Sequence, residues 1–176
     1  MKGGHLGSEA IEEPNQENLA YRVEHSRSFD ELFELVKRIV ESQTQRHRAG
    51  LSLVLSDMPN AVGAYHPVGS NVIVLNRTLI EDMKRFVKKE EEINSFVFTV
   101  LMHEYLHSLG LYDEVKVRQI VQKIVRNALG EDHISVKMAT GNWFEMYPQL
   151  AMAHPRASND FEVVQKFDSG STSYLG

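Results

Sequence analysis

The chain has no cysteine among its 176 residues, which excludes disulfides and thiolate ligands and leaves nitrogen and oxygen as the only donors for a metal. It has no apolar run approaching the length of a membrane span, so no membrane segment is expected. Nor does an apolar segment near its start mark it for export, and a cytoplasmic protein is the expectation. Excess positive charge is missing too: a net charge of −5 gives no general electrostatic reason to bind nucleic acid. No internal repeat is present. What remains is the composition of a soluble globular protein, 42% apolar and 24% charged. Its length suffices for one well-buried core and falls short of two ordinary domains.

Residues 1–27 are polar and read as a flexible N-terminal arm. Residues 28–150 read as the folded domain, and 151–176 as a C-terminal tail with an extended stretch at Phe161–Phe167 and a disordered end. Ser28 and Glu31 have the spacing of a capping box. The helix they open presents Phe29, Leu32, Phe33, Val36, Ile39 and Val40 on one face and closes at Gly50, with Arg46–Arg48 as its solvated basic last turn. Leu51–Ser56, Ala61–His66 and Asn71–Asn76 read as strands, the last two joined by a hairpin turn at Pro67–Ser70. Thr78–Lys89 and Glu114–Leu129 have the apolar spacing of amphipathic helices. The fold class is therefore α+β.

Between those last two helices lies the stretch Ile93–Glu114, INSFVFTVLMHEYLHSLGLYDE. It is apolar all round, the signature of a buried helix, with Asn94 or Ser95 as its expected cap. Within it His103-Glu104-Tyr105-Leu106-His107 forms an HExxH pattern. Two histidines four residues apart on a helix leave the same face about one turn from each other and can grip one metal ion. Glu104 beside them is placed to act as a general base on water. Two imidazoles and a carboxylate in an apolar helix need partners to offset their desolvation, and a metal supplies one.

A catalytic zinc site usually has three protein ligands. Gly110 can take the left-handed conformation that turns the chain, and Asp113 three residues later is the candidate third ligand. Asp is equally a favoured helix N-cap, here for the helix starting at Glu114; in that case Glu114 or a residue on the following helix serves instead. His133 and His154 are further candidates. Nitrogen and carboxylate donors favour Zn2+, although iron, cobalt or nickel also fit.

HEYLHSLGLYD resembles the elongated zinc-binding motif of the zincin metallopeptidases, in the metzincin-like form HExxHxxGxxH/D with Asp last. The element order over residues 29–150 is similar to a minimal zincin domain, while specific residues match only over 103–113. The resemblance implies a small β-sheet packed against helices, with the HExxH helix central. It also implies that an edge strand within Ala64–Leu75 binds peptide substrate in extended form, and that a methionine-bearing turn lies beneath the metal, for which Met138, Met146 and Met152 are the options. The expected function is zinc-dependent hydrolysis of a peptide or protein substrate, with His103, His107 and Asp113 on Zn2+ and Glu104 as base. The alternative is a zincin-like protein without activity that binds or regulates a partner. Tyr65, His66, Tyr112 and Tyr147 are candidate oxyanion donors as well as core-packing residues. A tail carrying His154, Asp160 and Phe161 could enter the cleft and hold the enzyme latent.

Overall fold

The computed structural model describes residues 15–153, 158 and 160–170. Eleven elements follow in chain order: α1 (Gln16–Glu24), α2 (Phe29–Thr44), β1 (Ser52–Ser56), β2 (Ala64–Tyr65), β3 (Val72–Asn76), α3 (Arg77–Phe86), α4 (Glu90–Ser108), α5 (Glu114–Leu129), α6 (Ile134–Met138), α7 (Trp143–Met146) and β4 (Phe161–Val163). The result is an α+β protein with a small mixed sheet ordered β2-β3-β1-β4. β3 runs parallel to β1, with Leu53 opposite Ile73, whereas β2 and β4 run antiparallel to their neighbours at the two edges. None of the described helices is long and apolar enough to cross a membrane.

α4 is the hub. It packs against α1, α2, α3, α5 and α6 and against β2 and β3. Phe96, Phe98, Leu101, Met102, Tyr105 and Leu106 are all buried, covering every side of the helix. It begins at Glu90, a turn before the expected caps, with three glutamates in its first turn favouring the positive end of the helix dipole. Asn94 is no cap. Its amide donates to the Glu24 and Ser26 carbonyls, 2.9 Å each, closing the end of α1.

α2 opens as its capping residues dictate. The Ser28 hydroxyl accepts the Glu31 N–H at 3.1 Å, while the Glu31 carboxylate takes the Arg27 N–H at 2.6 Å, one residue short of the usual box. The helix ends at Thr44, with Gln45 left-handed at φ 58°, and not in a basic turn before Gly50. The reason is Arg48, whose guanidinium donates to the Ser108 carbonyl at 2.8 Å and the Ser70 carbonyl at 2.6 Å. Its backbone N–H also meets the Tyr105 hydroxyl at 2.8 Å. Those bonds require an extended chain. Asn76, fully buried at the β3–α3 junction, caps α3 by accepting the Leu79 N–H at 3.2 Å. Its amide holds the Pro59 and Val62 carbonyls at 3.1 and 2.8 Å, which fixes the loop leading into β2.

Two expectations at the chain ends are corrected. The arm is helical from Gln16, because Asn15 caps it on the Asn18 N–H at 2.9 Å and Leu19 and Val23, one turn apart, enter the core; residues 1–14 lie outside the described set. The tail is no separate segment either. β4 pairs with β1, and Phe167 stacks on Phe33 at 4.4 Å between centroids. Asp168 is buried, pairs with Lys37 and accepts the Leu51 N–H at 2.9 Å. Asp160 and Phe161 therefore sit at the β4 edge, opposite the edge formed by β2. His154 lies outside the described residues.

Asp168→Ala takes one counter-charge from the buried Lys37 ammonium, which keeps Glu34 2.7 Å away. The expected loss is about 3 kcal/mol, the low end for breaking one side of a buried pair, read by urea unfolding; a loss under about 1 kcal/mol contradicts this role. Burial alone would raise the Asp30 carboxyl, but the Ser169 hydroxyl and N–H, with Lys166 and Lys37, outweigh it and hold it below its ordinary value. A depressed native value stabilises the fold above the ordinary carboxylate range, and that contribution is lost as pH falls through the native value. Asp30→Asn is accordingly expected to flatten the fall in unfolding free energy on acidification; unfolding midpoints with the wild-type pH slope would refute it.

Candidate metal centre

The last turns of α4 and the first turn of α5 build the site. α4 closes with the Gly110 N–H on the His107 carbonyl at 3.0 Å and the Leu111 N–H on the Leu106 carbonyl at 3.3 Å. This closure needs a left-handed residue, and Gly110 supplies it at φ 90°. The reversed chain then delivers two things to the imidazoles. One is the Leu111 carbonyl, 2.6 Å from His107 Nδ1. The other is the Glu114 carboxylate, with Oε2 3.0 Å from His103 Nε2 and Oε1 3.0 Å from His107 Nε2. The two Nε2 atoms are themselves 3.0 Å apart.

Asp113, the expected third ligand, is not brought to this cluster. Its backbone is extended, at φ −77° and ψ 109°, and its carboxylate accepts the Lys116 N–H at 3.0 Å as the N-cap of α5. Glu114 takes the place at the histidines, the alternative that the capping role of Asp leaves open. Ligating atoms of His103, His107 and Glu114 all lie within 4.8 Å of one another. His133 is elsewhere: its Nδ1 accepts the Ser135 N–H at 3.2 Å, and its Nε2 lies 3.4 Å from Glu24.

The donor set fits a divalent cation. A carbonyl only accepts, so His107 Nδ1 carries the proton facing Leu111, and Nε2 is the nitrogen that faces His103 and Glu114. Such an outer hydrogen bond is the usual device for orienting a ligating imidazole. Burial, then the neighbouring His107, push the His103 pKa down against the pull of Glu114, which favours the neutral, ligating form. The two Nε2 atoms and the Glu114 carboxylate converge at 3.0 Å, a spacing that a shared proton or a bound cation would bridge. Ligands about 2.0–2.1 Å from a tetrahedral zinc stand roughly 3.3 Å apart, close to the spacing found here.

Glu104 lines the same cleft as His103 and Glu114. It is buried, 5% exposed, and accepts the backbone N–H of His66 at the end of β2. Burial, reinforced by the charge of Glu114, pushes its pKa up to about 8. His103, Glu104 and Glu114 border a cleft of about 270 Å³ whose other side is Ala64 of β2 and whose floor is apolar. Met138 lines that floor, whereas Met152 is exposed. None of the four expected oxyanion donors lines the cleft. The His66 ring is held on the Val72 carbonyl at 2.8 Å, the Tyr147 hydroxyl is bonded to Glu92, and Tyr65 and Tyr112 are exposed.

Arg48 and Tyr105 escape a reading of the sequence. Together they tie the C-terminal end of α4, through Ser108, to the β2–β3 hairpin, through Ser70, so that the two walls of the cleft keep their spacing. The basic run at Arg46–Arg48 carried the residue but gave no sign of its partners.

Metal per chain, measured by mass spectrometry after zinc loading and desalting, is expected to be one for the wild type and for Asp113→Ala, and near zero for His107→Ala and Glu114→Ala. Asp113→Ala is instead expected to cost about 1 kcal/mol of stability, the worth of a helix N-cap. Zinc lost from Asp113→Ala and kept by Glu114→Ala would reverse the assignment. No known protein family, curated protein or solved structure matches the chain, so the chemistry of the site has to be read from its own geometry.

Proposed function

We propose that the protein is a zinc-dependent metallopeptidase with a zincin-like domain, hydrolysing peptide bonds in the cleft between α4 and β2. The observation that carries the reading is Glu104: a buried carboxyl, next in sequence to one imidazole of a convergent His-His-Glu set and lining the same cleft. A site that only holds the fold together has no use for a base there. Bound at His103, His107 and Glu114, a zinc ion would supply Lewis-acid polarisation of a carbonyl and acidification of water.

The chain's own groups supply the rest. Glu104 in its ionised form, the form that the His66 N–H favours, takes the proton of the attacking water and returns it to the leaving amine, so hydrolysis needs no covalent intermediate with the enzyme. The His66 N–H holds the Glu104 carboxylate against the end of β2, facing the cleft. His107 is kept in one tautomer by Leu111, and Glu114 is delivered by the Gly110 turn. Among the described residues β2 is paired with β3 alone and stands at the sheet edge, which suits an extended substrate adding itself as a further strand. A substrate side chain can then enter the apolar floor, where water is displaced at little cost.

Zinc-loaded wild-type protein is expected to cleave casein, and Glu104→Gln to lower the rate about 100- to 10,000-fold, the usual worth of a general base, with zinc content unchanged. A zinc-loaded wild type that leaves casein and a mixed peptide library intact would overturn the reading in favour of a binding module.

A further inference from the structure

One polar side chain of the cleft takes no part in the chemistry above. Arg118 of α5 lines the cleft together with Val100, Val121, Met138 and Trp143, and it is the one lysine or arginine to do so. Among the described residues it has no hydrogen-bond or ion-pair partner. Its natural partner on the helix surface would be the carboxylate four residues earlier. That carboxylate is Glu114, which is turned instead to the two imidazoles. The guanidinium faces Gly141, where an added Cβ would stand 3.7 Å from its Cζ and 3.8 Å from its Nε, and where φ is 80°. Arg118 is exposed, so its five donors face water and are free to meet a ligand in the cleft.

Arg118 shares the cleft with Glu114, one turn away on α5. Four residues of α5 advance about 6 Å from Glu114. An extended peptide covers that in one to two residues, at about 3.3–3.6 Å each. We propose that Arg118 is a specificity determinant that binds a carboxylate of the substrate one or two residues from the scissile bond, while the neighbouring apolar side chain fills the floor at Val100, Val121 and Trp143. The substrate class is thus a peptide with an apolar residue next to a negative charge. That charge is either the free C-terminus or an Asp or Glu side chain, since a bidentate fork accepts both. The link to cleavage rests on the metallopeptidase reading, but carboxylate binding itself does not.

The test measures binding by NMR titration on both zinc-loaded and chelator-treated protein. The probes are N-acetyl-leucine, its neutral amide N-acetyl-leucinamide, and N-acetyl-leucyl-aspartate with an amidated terminus. At least one carboxylate probe is expected to bind the wild type about tenfold more tightly than the neutral amide, the worth of one charge-assisted hydrogen bond. Which of the two does so identifies the source of the charge. Arg118→Ala should abolish the preference and Arg118→Lys keep part of it, with circular dichroism and zinc content unchanged in both. Equal binding of acid and amide by the wild type, no binding of any probe, or a preference that survives Arg118→Ala would overturn the proposal. A preference that holds while no peptide is cleaved would leave the carboxylate site standing and defeat the metallopeptidase reading alone.

Discussion

Two imidazoles and a carboxyl are carried into the protein interior by a helix that is otherwise apolar on all sides, and the fold has to offset the loss of their water. A buried polar group without a partner costs about 1–3 kcal/mol, so three of them in one turn of helix would consume much of a small domain's stability. Each is met by a group from a neighbouring element: the Leu111 carbonyl for His107 Nδ1, the Glu114 carboxylate for a proton or cation shared with the two Nε2 atoms, the His66 N–H for Glu104. These three answers come from the turn after α4, the start of α5 and the end of β2. The positions of those elements follow from the demand. The arrangement leaves the Nε2 atoms and one carboxylate facing each other, which is stable against repulsion only when a proton or a cation joins them.

A site of this kind works only if its walls stay in register to within a fraction of an ångström. Here the walls are α4 on one side and the β2 edge on the other, and neither is long enough in its own contacts to fix the gap. Arg48 spans it by bonding the last turn of α4 and the hairpin at once. Asn76 holds the loop before β2 through the Met58 N–H and the Met58, Pro59 and Val62 carbonyls while capping α3. At the far edge of the sheet, β4 and the Asp168–Lys37 pair close β1 against α2. That edge of the sheet is thus closed by the chain itself, and among the described residues the β2 edge is left open beside His103, His107 and Glu114.

The legibility of these features follows from how local their causes are. HExxH is readable because its geometry is set by five consecutive residues on one helix. β1 and β3 are readable from alternating, β-branched residues, but nothing in either strand announces that they run parallel. Asp113 misleads because the same carboxylate is both a ligand and a preferred cap, and the backbone angle after Gly110 decides which; its extended conformation aims it at the Lys116 N–H and gives Glu114 to the histidines. α1 is hidden because a polar segment needs only Leu19 and Val23 to dock. The ordered C-terminal strap is hidden because Asp168 finds Lys37 131 residues away. Arg48 and Arg118 carry no local signal, since one acts through carbonyls at Ser70 and Ser108 and the other lies against Gly141.

The central claim is that one metal ion sits between His103, His107 and Glu114. Anomalous diffraction at the zinc edge from a zinc-loaded crystal tests it directly. The account predicts a single strong peak about 2.0–2.1 Å from both Nε2 atoms and about 2.0–2.2 Å from a Glu114 oxygen, with the Asp113 carboxylate still on the Lys116 N–H. A peak bound by Asp113, or no peak between the two histidines, would contradict it.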